Sequence, residues 1–294
     1  MVPAGVRSGG PVGRTPSVVV AAHDESAVIT RCLDALAAQD EAAAVVVVAN
    51  GCHDDTAGLA RRPGVRVVEL AEAGKANALN HGDAVAVGFP RLYLDADIVL
   101  PSDGVRRLAD ALAADDDLQA AVPARRMATE GRPWVVRCWA AINARLPVYE
   151  DALFGRGAIM LSRSGRALFE DFPGLMADDL FLDSVVARDR RAVIGSVEVV
   201  VQTPYRTRDL LNRLVRVRRA NADLRSRALG TRPAARASWL RSVVLRDPRL
   251  LPAGLVYAVL TVVAAERARR ASASKAWGRD ESSRTAVGAR GTTA

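Results

Sequence analysis

SVVVAAHDESAVITRCLDAL, residues 17–36, opens on an uncharged, β-branched run (Ser17 to Ala22) and breaks at His23-Asp24-Glu25. It then continues with Val28, Ile29, Leu33 and Leu36 at helical spacing. The stretch reads as a buried strand, a polar loop and a helix over residues 25–38. The same order follows at once: an all-apolar strand over Val45 to Ala49, the polar turn NGCHDDT, a short helix over Thr56 to Arg62, and a strand over Val65 to Leu70. Strands that are apolar on both faces and alternate with helices predict an α/β fold, its mostly parallel central sheet covered by helices on both faces. In such a sheet ligands bind beyond the carboxyl ends of the strands.

Working outward, AGKANALNHG (73–82) reads as a turn into a helix, and Arg91 to Leu94 as a strand closed by Asp95-Ala96-Asp97. A helix over Val105 to Ala114, a strand over Leu118 to Val122 and a less regular basic stretch to Arg145 follow. GRGAIMLSR (155–163) reads as a turn into a strand, MADDLFLDSVVAR (176–188) as a turn into a helix, and Val193 to Val201 as a strand. From Tyr205 onward Arg recurs at helical spacing among Leu and Val. Leu250 to Ala265 is uncharged for 16 residues and followed by ERARR. A spanning helix needs about 20 apolar residues, so this run reads as an interfacial or docking helix in a mainly helical C-terminal extension.

At 294 residues the chain suits one large domain with an appendage, divided here into a disordered leader (1–15), two halves of one domain (16–120 and 121–235) and a basic extension (236–294). Half the residues are hydrophobic and a quarter charged, which excludes disordered and fibrous classes. Cys32, Cys52 and Cys138 have no CxxC spacing, so neither a disulfide framework nor a cysteine zinc site is implied. Residues 1–120 hold 10 Lys and Arg against 17 Asp and Glu, residues 121–294 hold 31 against 16, so the base excess is C-terminal. The basic half has few interleaved aromatics and no recognisable motif, so nucleic acid is not an expected partner. No early apolar run resembles a signal peptide, and a cytoplasmic protein is expected, peripheral at the inner membrane face if the extension touches lipid.

Asp95 and Asp97 are the sharpest chemical feature. Alternate residues of an extended chain point to the same side about 6.5 Å apart, so both carboxylates can face one divalent cation. Lys75 offers a point charge suited to phosphate, and the adjacent acids Asp178 and Asp179 raise each other's pKa at an expected helix N-terminus. Asp54 or Asp55 suits the cap of the following helix. His23, His53 and His81 share no ligand spacing and read as pocket-edge or surface residues.

The segments SVVVAAHDESAVITRCLDAL, VVVVANGCHDDTA, GKANALNHG, YLDADIVL, ADDLFLD and NRLVRVRRAN occur in an order and spacing that resemble family 2 glycosyltransferases of the GT-A fold, over about residues 15–225. The resemblance implies an inverting, metal-dependent enzyme that moves a sugar from a nucleoside-diphosphate sugar to an acceptor hydroxyl, with Mg²⁺ or Mn²⁺ as cofactor. It implies that Asp97 binds the metal, that Asp95 holds ribose or a metal-bound water, and that Lys75 or the backbone at Gly74 meets diphosphate oxygens. Asn50, Asp54 and Thr56 would shape the base and ribose pocket, beside Ala22 and Glu25 at the end of the first strand. Asp179 would be the general base with Asp178 beside it, and Arg213 and Arg216 would flank the diphosphate. The chain departs from the family pattern at Ala49, where an Asp commonly reads the nucleobase imide, and at Val217, where a Trp is usual.

Two other readings compete. Asp95 to Val99 also fits the DxDx(T/V) signature of haloacid-dehalogenase-type phosphatases, but no Lys lies between Ile98 and Ser274. A degenerate nucleotide-binding adaptor of the same fold is opposed by the retained Asp95, Asp97 and Asp179.

Overall fold

The computed structural model describes residues 15–174, 177–226 and 238–270. Its strands are β1 (Ser17–Ala22), β2 (Ala44–Asn50), β3 (Val65–Leu70), β4 (Arg91–Asp95), β5 (Ala120–Ala128), β6 (Ala158–Leu161) and β7 (Arg191–Gln202). Its helices are α1 (Ile29–Ala37), α2 (Thr56–Ala60), α3 (Lys75–Val85), α4 (Gly104–Ala114), α5 (Trp134–Asn143), α6 (Arg163–Arg166), α7 (Asp178–Val185), α8 (Thr207–Ser226) and α9 (Leu251–Arg270). The strands form one sheet in the order β3-β2-β1-β4-β6-β5-β7. All pairings are parallel except those of β6, which runs antiparallel to β4 and β5.

β1 shows why the sequence takes this form. Val18, Val20 and Ala22 pack into the layer that holds α1 and α4, whereas Val19 packs into the layer that holds α3 and α7. Both faces are covered, so no residue of the strand needs to be polar. Reversal of β6 has a consequence for the site. Ala158 pairs with Leu94, so the amino end of β6, and with it the turn Gly155–Gly157, lies at the same sheet edge as the carboxyl ends of β1, β2 and β4. Helix α3 is fixed at its far end by buried Asp83, which accepts from Tyr93 Oη at 2.8 Å and pairs with Arg91 and Arg166.

The structure differs from the expectations in three places. The helix expected from Glu25 begins at Ile29, because residues 25–28 form a turn in which the Glu25 carbonyl accepts from Val28 and Ile29. The basic stretch read as irregular contains the rest of β5 and the whole of α5; Arg125, Arg126 and Arg137 interrupt the apolar pattern although Val136, Trp139 and Ile142 are buried. All of the uncharged run but Leu250 lies inside a 20-residue helix, α9, which continues through Glu266, whose carboxylate pairs with Arg269 and Arg270. The leader up to residue 14 and the boundary at 235/236 lie outside the described residues.

Candidate active site

Four strand ends meet at one edge, and each delivers polar residues there. Asp95 is the last residue of β4, and its N–H donates to the Gly157 carbonyl at 2.8 Å. Asp97 does not continue the strand: the chain turns, with Ile98 N–H donating to the Asp95 carbonyl at 3.1 Å. A turn, not strand alternation, therefore gathers the two acids. Both charges reach the buried thiol of Cys32, which is pushed up to about 12 by burial first and then by Asp97, Asp95 and Glu25. Gly157 lies at φ +69°, and a Cβ there would come within 2.5 Å of Ile98 and 3.1 Å of Asp95 Oδ2. Only glycine lets this turn pass so close over the acid.

Lys75 heads α3 and is more than an exposed lysine. Its Nζ lies 2.8 Å from Asp95 Oδ1 and 3.0 Å from Asp178 Oδ1. Burial works to lower the lysine's pKa, but Asp178 and Asp95 outweigh it and hold the ammonium well above its usual value. Asp178 and Asp179 open α7, which favours acids at its N-terminus. Burial nevertheless pushes Asp178 up to about 6, with Lys75 opposing and Asp179 adding to the rise. Asp179 is also raised by burial, against the pull of Lys75 and of two main-chain donors. Those donors are Gly155 N–H on Oδ2 at 3.0 Å and Leu180 N–H on Oδ1 at 2.8 Å. One ammonium thus stands among three carboxylates, all hard oxygen donors, and with Asp97 beside Asp95 the set fits a divalent cation of the Mg²⁺ or Mn²⁺ type.

The β2 end braces this arrangement. Asn50 is fully buried; its amide donates to the Ala22 carbonyl at 2.7 Å and its Oδ1 accepts from Gly74 N–H at 2.9 Å. One side chain therefore ties the ends of β1 and β2 to the residue before Lys75, so its effect on a pocket is through the main chain it holds. Asp54 accepts from Thr56 N–H at 3.0 Å, from its hydroxyl, and from Ser26 N–H at 3.1 Å, and Thr56 Oγ1 accepts from Glu25 N–H at 2.7 Å. Burial would raise Asp54, but the Thr56 and Ser26 hydrogen bonds prevail and lower it. These contacts join the β1–α1 loop to the β2–α2 loop. His81 stays apart on α3, bonded through Nδ1 to the Asn77 carbonyl at 2.9 Å, whereas His23 and His53 come together at the ends of β1 and β2.

Residues 17–167, just over half of the chain, match the model of glycosyl transferase family 2. The chain belongs to this family. It is a glycosyltransferase, and the phosphatase reading falls with that membership. Its fold is similar to that of mannosyltransferase PcManGT from Pyrobaculum calidifontis, solved in complex with GDP-Man and Mn²⁺ (22% identity, 88% of this chain and 76% of that one, TM-score 0.59). It is similar to glucosyl-3-phosphoglycerate synthase from Mycobacterium tuberculosis with Mn²⁺, UDP-Glc and glycerol 3-phosphate (25% identity, 78% and 88%, TM-score 0.54). S. aureus TarS 1-349 in complex with UDP shares the fold at 15% identity (88% and 93%, TM-score 0.51). Comparison with curated protein sequences returns no match.

In this glycosyltransferase Arg213 lies on α8 and donates to the Gln202 carbonyl at 3.1 Å, with Arg216 half-buried one turn further on. Val217, at the position of the family's Trp, is 44% exposed. Sequence reasoning missed the residues around Gly155. Arg125 stacks on Tyr149, with Cζ 3.2 Å from the ring centroid, donates to Asn143 Oδ1 at 3.0 Å, and is lowered by burial and by the charge of Arg213. Arg156, 2% exposed, donates to the carbonyls of Ala152, Pro123 and Tyr149 and is pushed down to about 10 by burial and by Arg125. An Arg between two glycines, GRG, was the available signal for a charge buried in a tight turn.

Proposed function

We propose that the enzyme is a metal-dependent inverting glycosyltransferase that moves a sugar from a nucleoside-diphosphate sugar to an acceptor hydroxyl. The observation that carries this reading is the Lys75 bridge, which joins the DxD end of β4 to an acid pair with raised pKa values. Asp97 and Asp95 would hold the cation, which supplies charge neutralisation for the departing diphosphate. Lys75 adds a positive charge on the same side, and Arg213 and Arg216 extend it along α8. Asn50, Ala22 and Glu25 support the loops that form the nucleotide pocket, and Asp54 with Thr56 sets the turn between them. Asp179 takes the proton of the acceptor hydroxyl: Lys75 occupies Asp178, whereas Asp179 is held by two N–H groups with lone pairs still available. A carboxylate raised by burial is a better base than a solvated one.

The mechanism is tested by melting the protein with a panel of nucleotide sugars, with and without Mn²⁺ or Mg²⁺. A donor at 100 times its Kd stabilises by about 2.7 kcal/mol. The expected result is a shift for at least one donor that needs the metal, and an inverted anomeric centre in the product; retention, or no donor that stabilises, would overturn the reading.

A membrane surface is the proposed place of work. Among the described residues α9, extended back to Pro248, is one helix long and apolar enough to cross a membrane. Yet Ala253, Leu260 and Ala264 are buried on one side, with Leu260 and Ala253 packed in clusters containing residues of α5 and α8. Its other side carries Leu251, Leu255, Val259 and Val262, each more than half exposed, between Arg249 and Arg267. This is the form of a helix that lies in an anionic interface.

A further inference from the structure

We propose that His23, Asp24, Cys52 and His53 form a second metal site, which takes a zinc-type ion through mixed nitrogen, oxygen and sulfur donors. The four residues come as two sequence neighbours from two loops, so no helical or CxxC spacing announces them. The fold brings them together where β1 and β2 end side by side, Ala22 paired with Ala49.

The donor atoms are oriented for a common ion. His23 Nδ1 is 2.7 Å from the Asn50 carbonyl, so that nitrogen carries the proton and Nε2 is the acceptor nitrogen of the ring; a carbonyl behind a histidine is the usual outer support of a metal ligand. His23 Nε2 lies 3.8 Å from Asp24 Oδ2, and His53 Nδ1 lies 3.6 Å from the same oxygen. Those separations are too long for hydrogen bonds and slightly longer than the roughly 3.3 Å edge of a tetrahedron built on zinc–nitrogen and zinc–oxygen bonds. Donor atoms of His23, Asp24 and Cys52 all lie within 4.8 Å of one another. Small side-chain movements would close the set, and His53, 81% exposed, is free to make the largest one.

The backbone supports this arrangement. Asp24 stands at φ +50°, in the left-handed region that Asp tolerates better than most residues. Its Oδ1 accepts from His53 N–H at 2.5 Å, which aims Oδ2 at the two rings. On metal binding Cys52 releases its proton to solvent. The Ala22 carbonyl, 3.6 Å from Sγ, keeps its hydrogen bond from Asn50. Thiolate and imidazole select a borderline-soft ion, whereas Asp95 and Asp97 offer only carboxylate oxygen, so the two sites differ in the metal they prefer. An ion here would clamp the β1–α1 loop to the β2–α2 loop, independently of any donor sugar.

Cobalt(II) and zinc titrations of tag-free full-length protein test the site. The expected result is one thiolate-ligated equivalent of cobalt, with tetrahedral visible bands and a thiolate-to-cobalt charge-transfer band, displaced by zinc and distinct from any cobalt held by Asp95 and Asp97. Cys52→Ser should remove the charge-transfer band. His53→Ala, at an exposed position that leaves the fold intact, should weaken zinc binding at least about tenfold. Asp97→Ala should leave the charge-transfer band and its displacement by zinc unchanged. The proposal is overturned if the wild type gives no charge-transfer band, if Cys52→Ser and His53→Ala bind zinc like the wild type, or if Asp97→Ala is the variant that loses the band.

Discussion

Gly155 donates its N–H to Oδ2 of Asp179 at 3.0 Å, joining the turn before β6 to the acid pair that opens α7. Asp179→Asn keeps the shape but puts an amide NH₂ against one of two main-chain donors and removes the proton acceptor. Turnover should fall by at least about 10², with donor affinity within about threefold, because general-base help acts only as the proton leaves. Asp178→Asn should cost less. Steady-state kinetics and donor titration of both variants decide it; near-normal transfer by Asp179→Asn, or greater damage in Asp178→Asn, would overturn the assignment.

Asp178 also sets a pH dependence of stability. Its folded pKa is raised from 3.8 to about 6, so between these values the native state holds a proton that the unfolded chain has released. The contribution of this group is therefore full below pH 3.8 and is lost as pH rises through 6. Asp178→Asn should raise the melting temperature at pH 7 to 8 and show a shrinking advantage toward pH 4. Thermal melts of both proteins across that range measure it, and parallel curves would refute the raised pKa.

Asp97→Ala should abolish Mn²⁺-dependent donor binding and leave the melting temperature of the free protein within a few degrees. Asp97 is half-buried in a turn beyond β4 and fills no core position. Calorimetry with and without metal is the measurement, and unchanged metal-dependent affinity would remove Asp97 from the site.

The first four strands and the Asp95/Asp97 pair at the end of the fourth were legible because they carry the fold's signals without interference, although the turn that gathers the two acids was not. Val45 to Ala49 is apolar on both faces, and polar residues follow immediately. The Lys75 bridge was not legible, since it depends on α3 and α7, about a hundred residues apart, meeting at one strand end. The antiparallel direction of β6 was equally hidden, because a four-residue apolar strand, Ala158–Leu161, reads the same in either direction. α5 was missed because Arg137 interrupts its apolar pattern and Arg125 and Arg126 precede it in β5, and the pairing of His23-Asp24 with Cys52-His53 follows from strand neighbourhood that local spacing does not encode.

Two glycines with similar backbone angles separate conformational strain from crowding. Gly131, at φ +67°, has nothing within 4 Å of an added Cβ, whereas at Gly157, φ +69°, the Cβ meets Ile98 and Asp95. Gly131→Ala should cost about 1–2 kcal/mol from the backbone alone. Gly157→Ala should cost about 1–3 kcal/mol more and also weaken metal-dependent donor binding, since the shift falls on Asp95. Denaturant melts and donor titrations of the pair provide the comparison; equal losses would mean that the turn gives way without disturbing the acid.

The outer face of α9 makes the last prediction. Leu251, Leu255, Val259 and Val262 are 52%, 65%, 62% and 65% exposed and recur at helical spacing, a stripe about 16 Å long at 1.5 Å per residue. That is half the hydrocarbon thickness, and the opposite face is packed against the protein, so the helix should lie in the interface rather than span it. Full-length protein should float with vesicles rich in anionic lipid at low salt and release as salt rises, because Arg267, Arg269 and Arg270 act through a screened field. Replacing the three by Ala should weaken binding by about 1–3 kcal/mol: each cation near an anionic surface contributes about 1 kcal/mol, and Arg269 and Arg270 are already partly neutralised by Glu266. Leu255→Asp with Val259→Asp should abolish binding without unfolding, since neither side chain is in the core. If the wild type ignores anionic vesicles and sediments as a dimer that the double Asp variant dissociates, the stripe is a contact between copies of the chain and the membrane reading fails.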